Sequence, residues 1–172
     1  MSTWGIVVAG GSGDRFGVPK QFETVGGTRL VDRAVETASV ACDDVVVVHD
    51  AARPLASPVL FKAVIDAVRS GADAAVPALL VPDTVKRVEG DRVVETIARD
   101  GLVVVQTPQA FRADALRAAH REGDDATDDA ALVEATGGRV VVVPGEPANL
   151  KVTTPADLVV ASALCVDHGE RR

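Results

Sequence analysis

Short apolar runs alternate with helix-forming segments along this whole 172-residue chain. The runs at residues 4–8 and 45–48 are clear examples, and the second consists of four valines. A continuous run of β-branched residues is typical of a strand buried on both faces, as in a parallel sheet covered by helices. The alternation therefore predicts one α/β domain over residues 1–172, with a three-layer, doubly wound, mostly parallel and Rossmann-like sheet.

Capping residues mark where the predicted helices begin. Ser57 followed by Pro58 is a strong start signal, and Gly71 suits the residue just past the end of that helix. The same reasoning gives N-caps at Thr28, Ser57, Thr127 and Thr154. A further helix is predicted over residues 113–120.

The stretch at 83–96 has two β-prone runs around Glu89-Gly90-Asp91, which predicts a hairpin. Its charged side chains favour an arm, residues 82–100, that leaves the main sheet. Residues 74–79 are predicted to form a strand that Pro77 interrupts or places at an edge. Residues 102–111 are predicted to form another buried strand.

Composition excludes several function classes. The net charge of −7 disfavours a broad nucleic-acid surface, and no run approaches the ~20 apolar residues of a membrane span. The two cysteines lack metal-type spacing, which favours reduced, packed thiols. We expect a cytoplasmic protein with neither nucleic acid nor membrane as a partner.

The segment "GGSGDRFGVPKQF", residues 10–22, follows the first predicted strand. Gly10, Gly11 and Gly13 allow backbone N–H groups to approach an anion, and Arg15 and Lys20 add two positive charges. The spacing matches neither the dinucleotide fingerprint nor the P-loop. The segment is interpreted as a phosphate-binding loop, the alternative being a surface loop with incidental charges.

"HDAARP" places Asp50 and Arg53 directly after the second predicted strand. There an acid can bind a metal or a hydroxyl group, and an arginine can bind phosphate through two hydrogen bonds. A loop salt bridge or an Asx turn is the alternative. His49 is interpreted as a buried core or loop histidine, and Lys151 either faces the same pocket or is a surface lysine.

Taken together, the motifs resemble one family. "GGSGDRFGVPKQF", "VVHDAARP", "DTVKR", "QTPQAF", "TDDAALVE" and "LKVTTPADL" occur in the order found in the 2-C-methyl-D-erythritol 4-phosphate cytidylyltransferases of the non-mevalonate isoprenoid pathway. The resemblance implies a nucleotidyltransferase fold, a homodimer with exchanged arms, and use of CTP with Mg²⁺. It implies transfer of CMP from CTP to the polyol phosphate, with release of pyrophosphate.

The resemblance also implies roles for individual residues. It assigns catalysis to Arg15, Lys20, Arg99 and Lys151, nucleotide binding to Ala9, Gly10, Gly11, Gly13 and Asp50, and polyol-phosphate binding to Asp50, Arg53, Thr84, Arg99, Thr127 and Lys151. The arm arginine of the family comes from the partner subunit. Mg²⁺ would be held mainly by the phosphates and weakly by Asp50.

The chain also departs from the family pattern. Between the first helix and "HDAARP" it lacks about one strand-loop-strand-helix unit, which in the family contributes to base recognition. Its loss is expected to leave the first strand at an edge of the sheet. The alternatives are a cytidylyltransferase for another polyol phosphate, such as ribitol 5-phosphate, or a weakly catalytic homologue that acts as a binding module.

Overall fold

The computed structural model describes residues 3–9, 23–30, 33, 45–122 and 128–169. The strands are β1 (Thr3–Val8), β2 (Thr24–Val25), β3 (Thr28–Arg29), β4 (Val45–Asp50), β5 (Ala74–Leu80), β6 (Val85–Glu89), β7 (Arg92–Ile97), β8 (Val103–Val105), β9 (Gln109–Arg112) and β10 (Val140–Pro144). The helices are α1 (Pro58–Arg69), α2 (Ala113–Glu122), α3 (Asp129–Ala135) and α4 (Pro155–Gly169).

The main sheet has the order β1-β4-β9-β5-β10, with β8 also paired to β5. The pairs β1–β4 and β5–β10 are parallel, whereas β9 runs antiparallel to both β4 and β5. The predicted α/β architecture is confirmed, but the sheet is mixed where a mostly parallel one was predicted, since three of its five strand pairs in the described residues are antiparallel. The reason is that the hairpin after β5 returns the chain without a crossover helix, so β8 and β9 run back along β5.

Among the described residues, two of the three buried apolar clusters lie on opposite faces of the main sheet. Val45 and Val47 of β4 pack with Phe61 of α1, while Val46 and Val48 lie against the cluster built around Phe111 and the α2–α3 pair. Alternate residues of β4 therefore serve opposite faces, as the strand period requires. Helices on both faces give the three layers predicted from the sequence.

Helix α1 has the predicted boundaries. The Ser57 hydroxyl oxygen accepts a hydrogen bond from the Leu60 N–H at 3.1 Å, and Pro58 is the first helical residue. Gly71 follows the helix with φ of 106°, a conformation that favours glycine. These local signals fix the helix beside the end of β4.

Two of the predicted caps need correction. Thr28 belongs to β3, and helical geometry begins at Leu30. Thr127 lies outside the described residues, and the N-cap of α3 is Asp128, whose carboxylate accepts from the Ala131 N–H at 2.9 Å. Thr154 does cap α4, because its hydroxyl accepts from the Asp157 N–H at 3.3 Å.

The prediction of one buried strand over 102–111 is wrong. The segment forms two strands separated by a cis Thr107–Pro108 peptide, and only the second is buried. The valines of β8 are exposed because that strand pairs with the end of β5, beyond the helices. Pro77 lies where the neighbour of β5 changes from β9 to β8, and its carbonyl accepts from the Gln106 N–H at 2.8 Å.

The predicted hairpin is present as β6 and β7, which form a two-stranded sheet apart from the main one. Gly90 makes the turn with φ of 61°. Across the strands Arg87 pairs with Glu95 at 2.8 Å, and most hairpin residues are exposed. Within the described part of the chain, no helix is long and apolar enough to cross a membrane.

Among the residues that the structure describes, β1 is an edge strand of the main sheet. It pairs with β4, and Ile6 and Val8 are each 49% exposed. An apolar strand at a sheet edge agrees with the consequence expected from a missing internal unit.

Candidate active site

The candidate site lies at the carboxyl ends of β1 and β4. The two strands pair in register from Thr3 and Val45 to Val8 and Asp50, so they end side by side. The Ala51 N–H then donates to the Val8 carbonyl at 3.0 Å, which holds the start of the next turn beside Ala9. Crevices beyond the carboxyl ends of such strands are the usual ligand sites of α/β sheets.

Asp50 is the centre of a three-residue charge cluster. Its Oδ2 is 2.8 Å from Lys151 Nζ and 3.8 Å from Arg53 Nε. Two cations around one carboxylate leave one net positive charge at the end of the sheet. Such a cluster has the chemistry to accept a hydrogen bond from a hydroxyl group through Asp50 and to bind a phosphate through its cations.

Arg53 is held more tightly than a surface arginine. Its side chain is 11% exposed, and Nη1 donates to the Asn149 carbonyl at 2.8 Å. Burial lowers the pKa of the Arg53 guanidinium, and the Asp50 carboxylate opposes that shift. An arginine remains protonated in proteins, so Arg53 supplies a fixed positive charge.

Lys151 reaches Asp50 because the chain is held by hydrogen bonds on either side of it, at Asn149 and at Val152. The Asn149 side chain is fully buried, and its Nδ2 donates to the Thr107 carbonyl at 2.9 Å. Gln106 Nε2 donates to the Asn149 carbonyl at 3.2 Å, and the Val152 N–H donates to the Ala52 carbonyl at 2.8 Å. Together these bonds join the turn after β4, the segment before β9 and the segment after β10, and these three segments form the rim of the site.

Glu146 links the same rim to the start of α1. The Ser57 hydroxyl donates to Glu146 Oε1, and the Ser57 N–H donates to Oε2 at 3.2 Å. A carboxylate at a helix N-terminus is stabilised by the helix dipole. This contact fixes the segment after β10 relative to the segment after β4.

His49 is the last buried side chain of β4, at 1% exposed. Its Nε2 is 3.1 Å from the Arg53 carbonyl oxygen and its Nδ1 is 2.9 Å from the Thr107 hydroxyl oxygen. Burial lowers the pKa of His49 to about 4, although the Arg53 carbonyl and the Asp50 carboxylate both act to raise it. The interpretation of His49 as a buried histidine with satisfied hydrogen bonds agrees with these contacts.

The structure brings together Asp50, Arg53 and Lys151, and it places Ala9 at the adjoining end of β1. It does not bring the two arm residues to them. Thr84 and Arg99 are exposed, and Arg99 Nη1 donates to the Pro82 carbonyl. The remaining predicted site residues lie outside the described part of the chain: Gly10, Gly11, Gly13, Arg15, Lys20 and Thr127.

Sequence reasoning missed the buried polar side chains that hold the site. Gln106, Thr107, Glu146 and Asn149 are ordinary polar residues in the sequence. The only available signal was their position, because each lies in a segment that follows a β-prone run. Their partners are about 40 or more residues away in the chain, so no local pattern identifies them.

A mixed sheet with helices on both faces and a charged cluster at its strand ends defines the class of the protein as a three-layer, Rossmann-like α/β domain. Comparison with known proteins gives the family. A model of "2-C-methyl-D-erythritol 4-phosphate cytidylyltransferase" matches residues 37–166. The chain belongs to that family, as its motifs suggested.

Individual relatives agree. The 2-C-methyl-D-erythritol 4-phosphate cytidylyltransferase of Frankia casuarinae is 54% identical over 148 residues, covering 83% of this chain and 55% of that protein. The crystal structure of the Thermus thermophilus protein of the same name has a TM-score of 0.83 at 32% identity, covering 96% of this chain and 99% of that chain.

Length separates this chain from its relatives. It spans about half the length of the curated relatives it matches. The alignment with the bifunctional enzyme IspD/IspF of Granulibacter bethesdensis, 37% identical and covering 89% of this chain and 54% of that protein, runs over 202 residues. That is more than the 172 residues present here, so the relative has residues within the matched region that this chain lacks.

Proposed function

We propose that this chain transfers CMP from CTP to 2-C-methyl-D-erythritol 4-phosphate and releases pyrophosphate. The observation that carries the proposal is the contact of Lys151 with Asp50, with Arg53 beside them, at the strand ends of a member of this family. In the reaction a phosphate oxygen of the polyol attacks the α-phosphorus of CTP. The new P–O bond replaces the bond to the β-phosphate, which leaves within pyrophosphate.

Such a reaction depends on positioning and on stabilising negative charge, more than on a covalent partner. Arg53 and Lys151 would bind the polyol phosphate, and Asp50 would accept a hydrogen bond from a polyol hydroxyl group. Arg15 and Lys20 would stabilise the charge on the triphosphate, with Ala9 and the glycines beside it. These roles need the 10–22 loop to reach the cluster.

The flanks of that loop support this arrangement. Before the loop, the Val8 carbonyl accepts from the Ala51 N–H, next to Asp50. After the loop, Val25 and Leu30 pack with Val152, next to Lys151. The loop therefore leaves and rejoins the described structure beside the two ends of the charge cluster.

Mg²⁺ is proposed to bind chiefly through the phosphates. In the described part of the chain, no group of three or more histidine, cysteine or acidic side chains could hold a metal ion. Asp50 supplies one carboxylate, which already pairs with Lys151. Mg²⁺ is typically bound by one or two carboxylates together with phosphate oxygens and water, and one carboxylate fits that pattern.

The arm is proposed to act between two subunits of a homodimer. The β6–β7 sheet stands apart from the main one, and Val88 and Val93 are exposed on it. Thr84 and Arg99, at the base of the arm, would complete the polyol-phosphate site of the neighbouring subunit. A cytoplasmic location and the absence of nucleic-acid partners complete this proposal, the latter supported by the net charge of −7.

A second candidate is a protein that binds phosphates but turns over slowly or with relaxed base selectivity. The observation that favours it is length, since the relatives have internal residues that this chain lacks. The segment missing in the predicted position contributes to base recognition in the family. Another polyol phosphate, such as ribitol 5-phosphate, would be an acceptor of the same chemical kind.

The test is release of pyrophosphate with CTP, UTP or ATP, each with Mg²⁺ and either polyol phosphate, accompanied by calorimetry of nucleotide binding. The proposal expects release that needs both CTP and 2-C-methyl-D-erythritol 4-phosphate. Nucleotide binding without release of pyrophosphate supports the second candidate, the phosphate-binding protein. Release of pyrophosphate with ribitol 5-phosphate but not with 2-C-methyl-D-erythritol 4-phosphate means that ribitol 5-phosphate is the acceptor. No binding of any nucleotide at millimolar concentration refutes both candidates.

Two variants connect the activity to the cluster. Lys151→Ala is expected to lower kcat/KM at least about 100-fold, because a charge that orients the reacting phosphate is lost. Lys62→Ala is the matched control, since Lys62 is an exposed lysine of α1 that also pairs with an aspartate, Asp66. Equal activity of the two variants would refute the site. For the arm, a fully active monomer in sedimentation would refute the shared site.

A further inference from the structure

His49 differs from Asp50 and Lys151 at the same strand ends because its side chain is buried. It is 1% exposed, and its ring meets Phe61 of α1 edge to face, with centroids 5.0 Å apart and planes at 65°. A buried polar ring is costly unless both nitrogens are hydrogen-bonded. Both have a partner here, one in the turn after β4 and one in the segment before β9.

The partners determine where the ring proton lies. The Arg53 carbonyl oxygen can only accept, so Nε2 must carry the proton. The Thr107 hydroxyl already accepts from the Asp50 N–H at 2.9 Å, and its own hydrogen is available for Nδ1. The one arrangement that satisfies every group is a neutral imidazole that donates from Nε2 and accepts at Nδ1.

This ring holds the turn that carries two site residues. The Arg53 N–H donates to the Asp50 carbonyl at 3.0 Å, and His49 binds the Arg53 carbonyl from the other side. The Thr107 hydroxyl, on the far side of the ring, fixes the Asp50 N–H. The His49 ring and the Thr107 hydroxyl group, which contact each other, thus hold the backbone at both ends of the Asp50–Arg53 turn.

We propose that His49 is a positioning residue, whose Nε2–H holds the Arg53 carbonyl and thereby sets the directions of the Asp50 carboxylate and the Arg53 guanidinium. It touches neither substrate and acts through those two side chains. The effect on catalysis rests on the proposed function. The state of the ring does not, because it follows from the folded structure alone.

A doubly protonated ring would not fit the same network. Protonated Nδ1 would donate to the Thr107 oxygen, so that the Thr107 hydroxyl hydrogen would lose its acceptor, and the ring would place a positive charge beside the Arg53 guanidinium. Burial lowers the pKa of His49 to about 4, which keeps the ring neutral in the physiological range. The two charged groups near it in the turn, Asp50 and Arg53, have opposite effects on that pKa.

Two substitutions test the hydrogen bonds of the two ring nitrogens separately. His49→Gln keeps an N–H donor near the place of Nε2, and His49→Asn keeps an acceptor near the place of Nδ1 but cannot reach the Arg53 carbonyl. The Gln variant is expected to keep kcat/KM within about threefold, and the Asn variant to lose about tenfold or more, the effect of one hydrogen bond. The loss should appear in kcat and in the KM for the polyol phosphate, with the KM for CTP unchanged.

Ring nitrogen NMR is the readout that does not depend on activity. His49 is assigned as the ring whose signals are absent from the spectrum of His49→Gln, and these signals are expected to stay constant between about pH 8 and about pH 5.5, where an exposed histidine with an ordinary pKa titrates. The Nε2–H tautomer is expected. The Nδ1–H tautomer, or titration near the ordinary pKa, overturns the proposal even in an active enzyme. Equal activity of the two variants overturns it as well.

A second pair of variants applies if substitution of His49 prevents folding. Thr107→Ser keeps the hydroxyl group, and Thr107→Val keeps the shape of the side chain without it. The proposal expects the Nε2–H tautomer in both variants, because the Arg53 carbonyl remains, with the Nδ1 signal unchanged in the Ser variant and shifted in the Val variant, which lacks the hydroxyl group that donates to Nδ1. An unchanged ring spectrum in Thr107→Val would overturn it.

Discussion

Acidification should destabilise this protein through His49 over a defined pH range. The unfolded imidazole has a pKa near 6.5, and burial lowers the folded value to about 4. Between these values the unfolded chain binds a proton that the folded chain does not, so the free energy of unfolding falls as the pH falls. At ~1.36 kcal/mol per pKa unit, the loss from neutral pH to about pH 4 is about 3 kcal/mol.

Urea unfolding of the wild type and of His49→Gln at several pH values measures this loss. Every other titrating group is common to the two proteins, so their difference in unfolding free energy isolates His49. The advantage of the wild type over the variant should shrink by about 3 kcal/mol between about pH 7 and about pH 4. A difference that stays constant over this range would show that His49 titrates equally in the folded and unfolded chain, and would refute the reasoning.

Three further predictions concern stability. Ser57→Ala removes the N-cap of α1 and should lower the free energy of unfolding by about 1–2 kcal/mol in urea, compared with no loss beyond ~0.5 kcal/mol for an exposed alteration such as Ser70→Ala at the other end of the helix. Phe61→Ala should cost about 3–5 kcal/mol, because Phe61 is fully buried between α1 and the sheet, and a loss under ~1 kcal/mol would contradict that packing. The Thr153 N–H, with further donors, lowers the pKa of Asp157 to about 2, so stability from this carboxylate is present above the unfolded pKa of 3.8 and is lost as the pH falls toward 2. Acid unfolding of Asp157→Asn should show a shallower pH dependence in that range, and an identical slope would contradict the assignment.

Local signals in the sequence were sufficient for the elements that carry the site. The valine run of β4 predicts a buried strand, and the Ser57-Pro58 start with Gly71 predicts α1. Because Asp50 and Arg53 follow β4 directly, their approach is a property of one turn. For Lys151 the sequence leaves two alternatives open, a side chain in the same pocket or a surface lysine, and in the structure Lys151 Nζ lies 2.8 Å from Asp50 Oδ2 with the side chain 42% exposed.

Long-range packing decided what the sequence could not. The valines of β8 resemble those of β4 in sequence, yet they are exposed, because burial depends on which helices cover a strand. The directions of β8 and β9 follow from the hairpin arm before them, which no residue pattern within either strand encodes. Likewise, Asn149 is buried because it meets Thr107 and Gln106, some 42 and 43 residues away.

The position of β1 explains how a chain of this length can keep the family fold. Both large core clusters are built from β4, β5, β9 and the helices around them, and none of the described side chains of β1 belongs to either. The unit that the sequence predicts to be missing beyond β1 would therefore be a flank of the sheet, and its loss would leave the core and the Asp50 cluster in place. Since the resemblance assigns that unit a part in base recognition, the expected weakness is selectivity among bases. The second candidate function, with relaxed base selectivity, therefore predicts that CTP, UTP and ATP bind with affinities within about tenfold of one another, because all three share the triphosphate and differ only in hydrogen bonds to the base. A preference for CTP of more than ~100-fold in calorimetry would mean that other residues of this chain recognise cytosine.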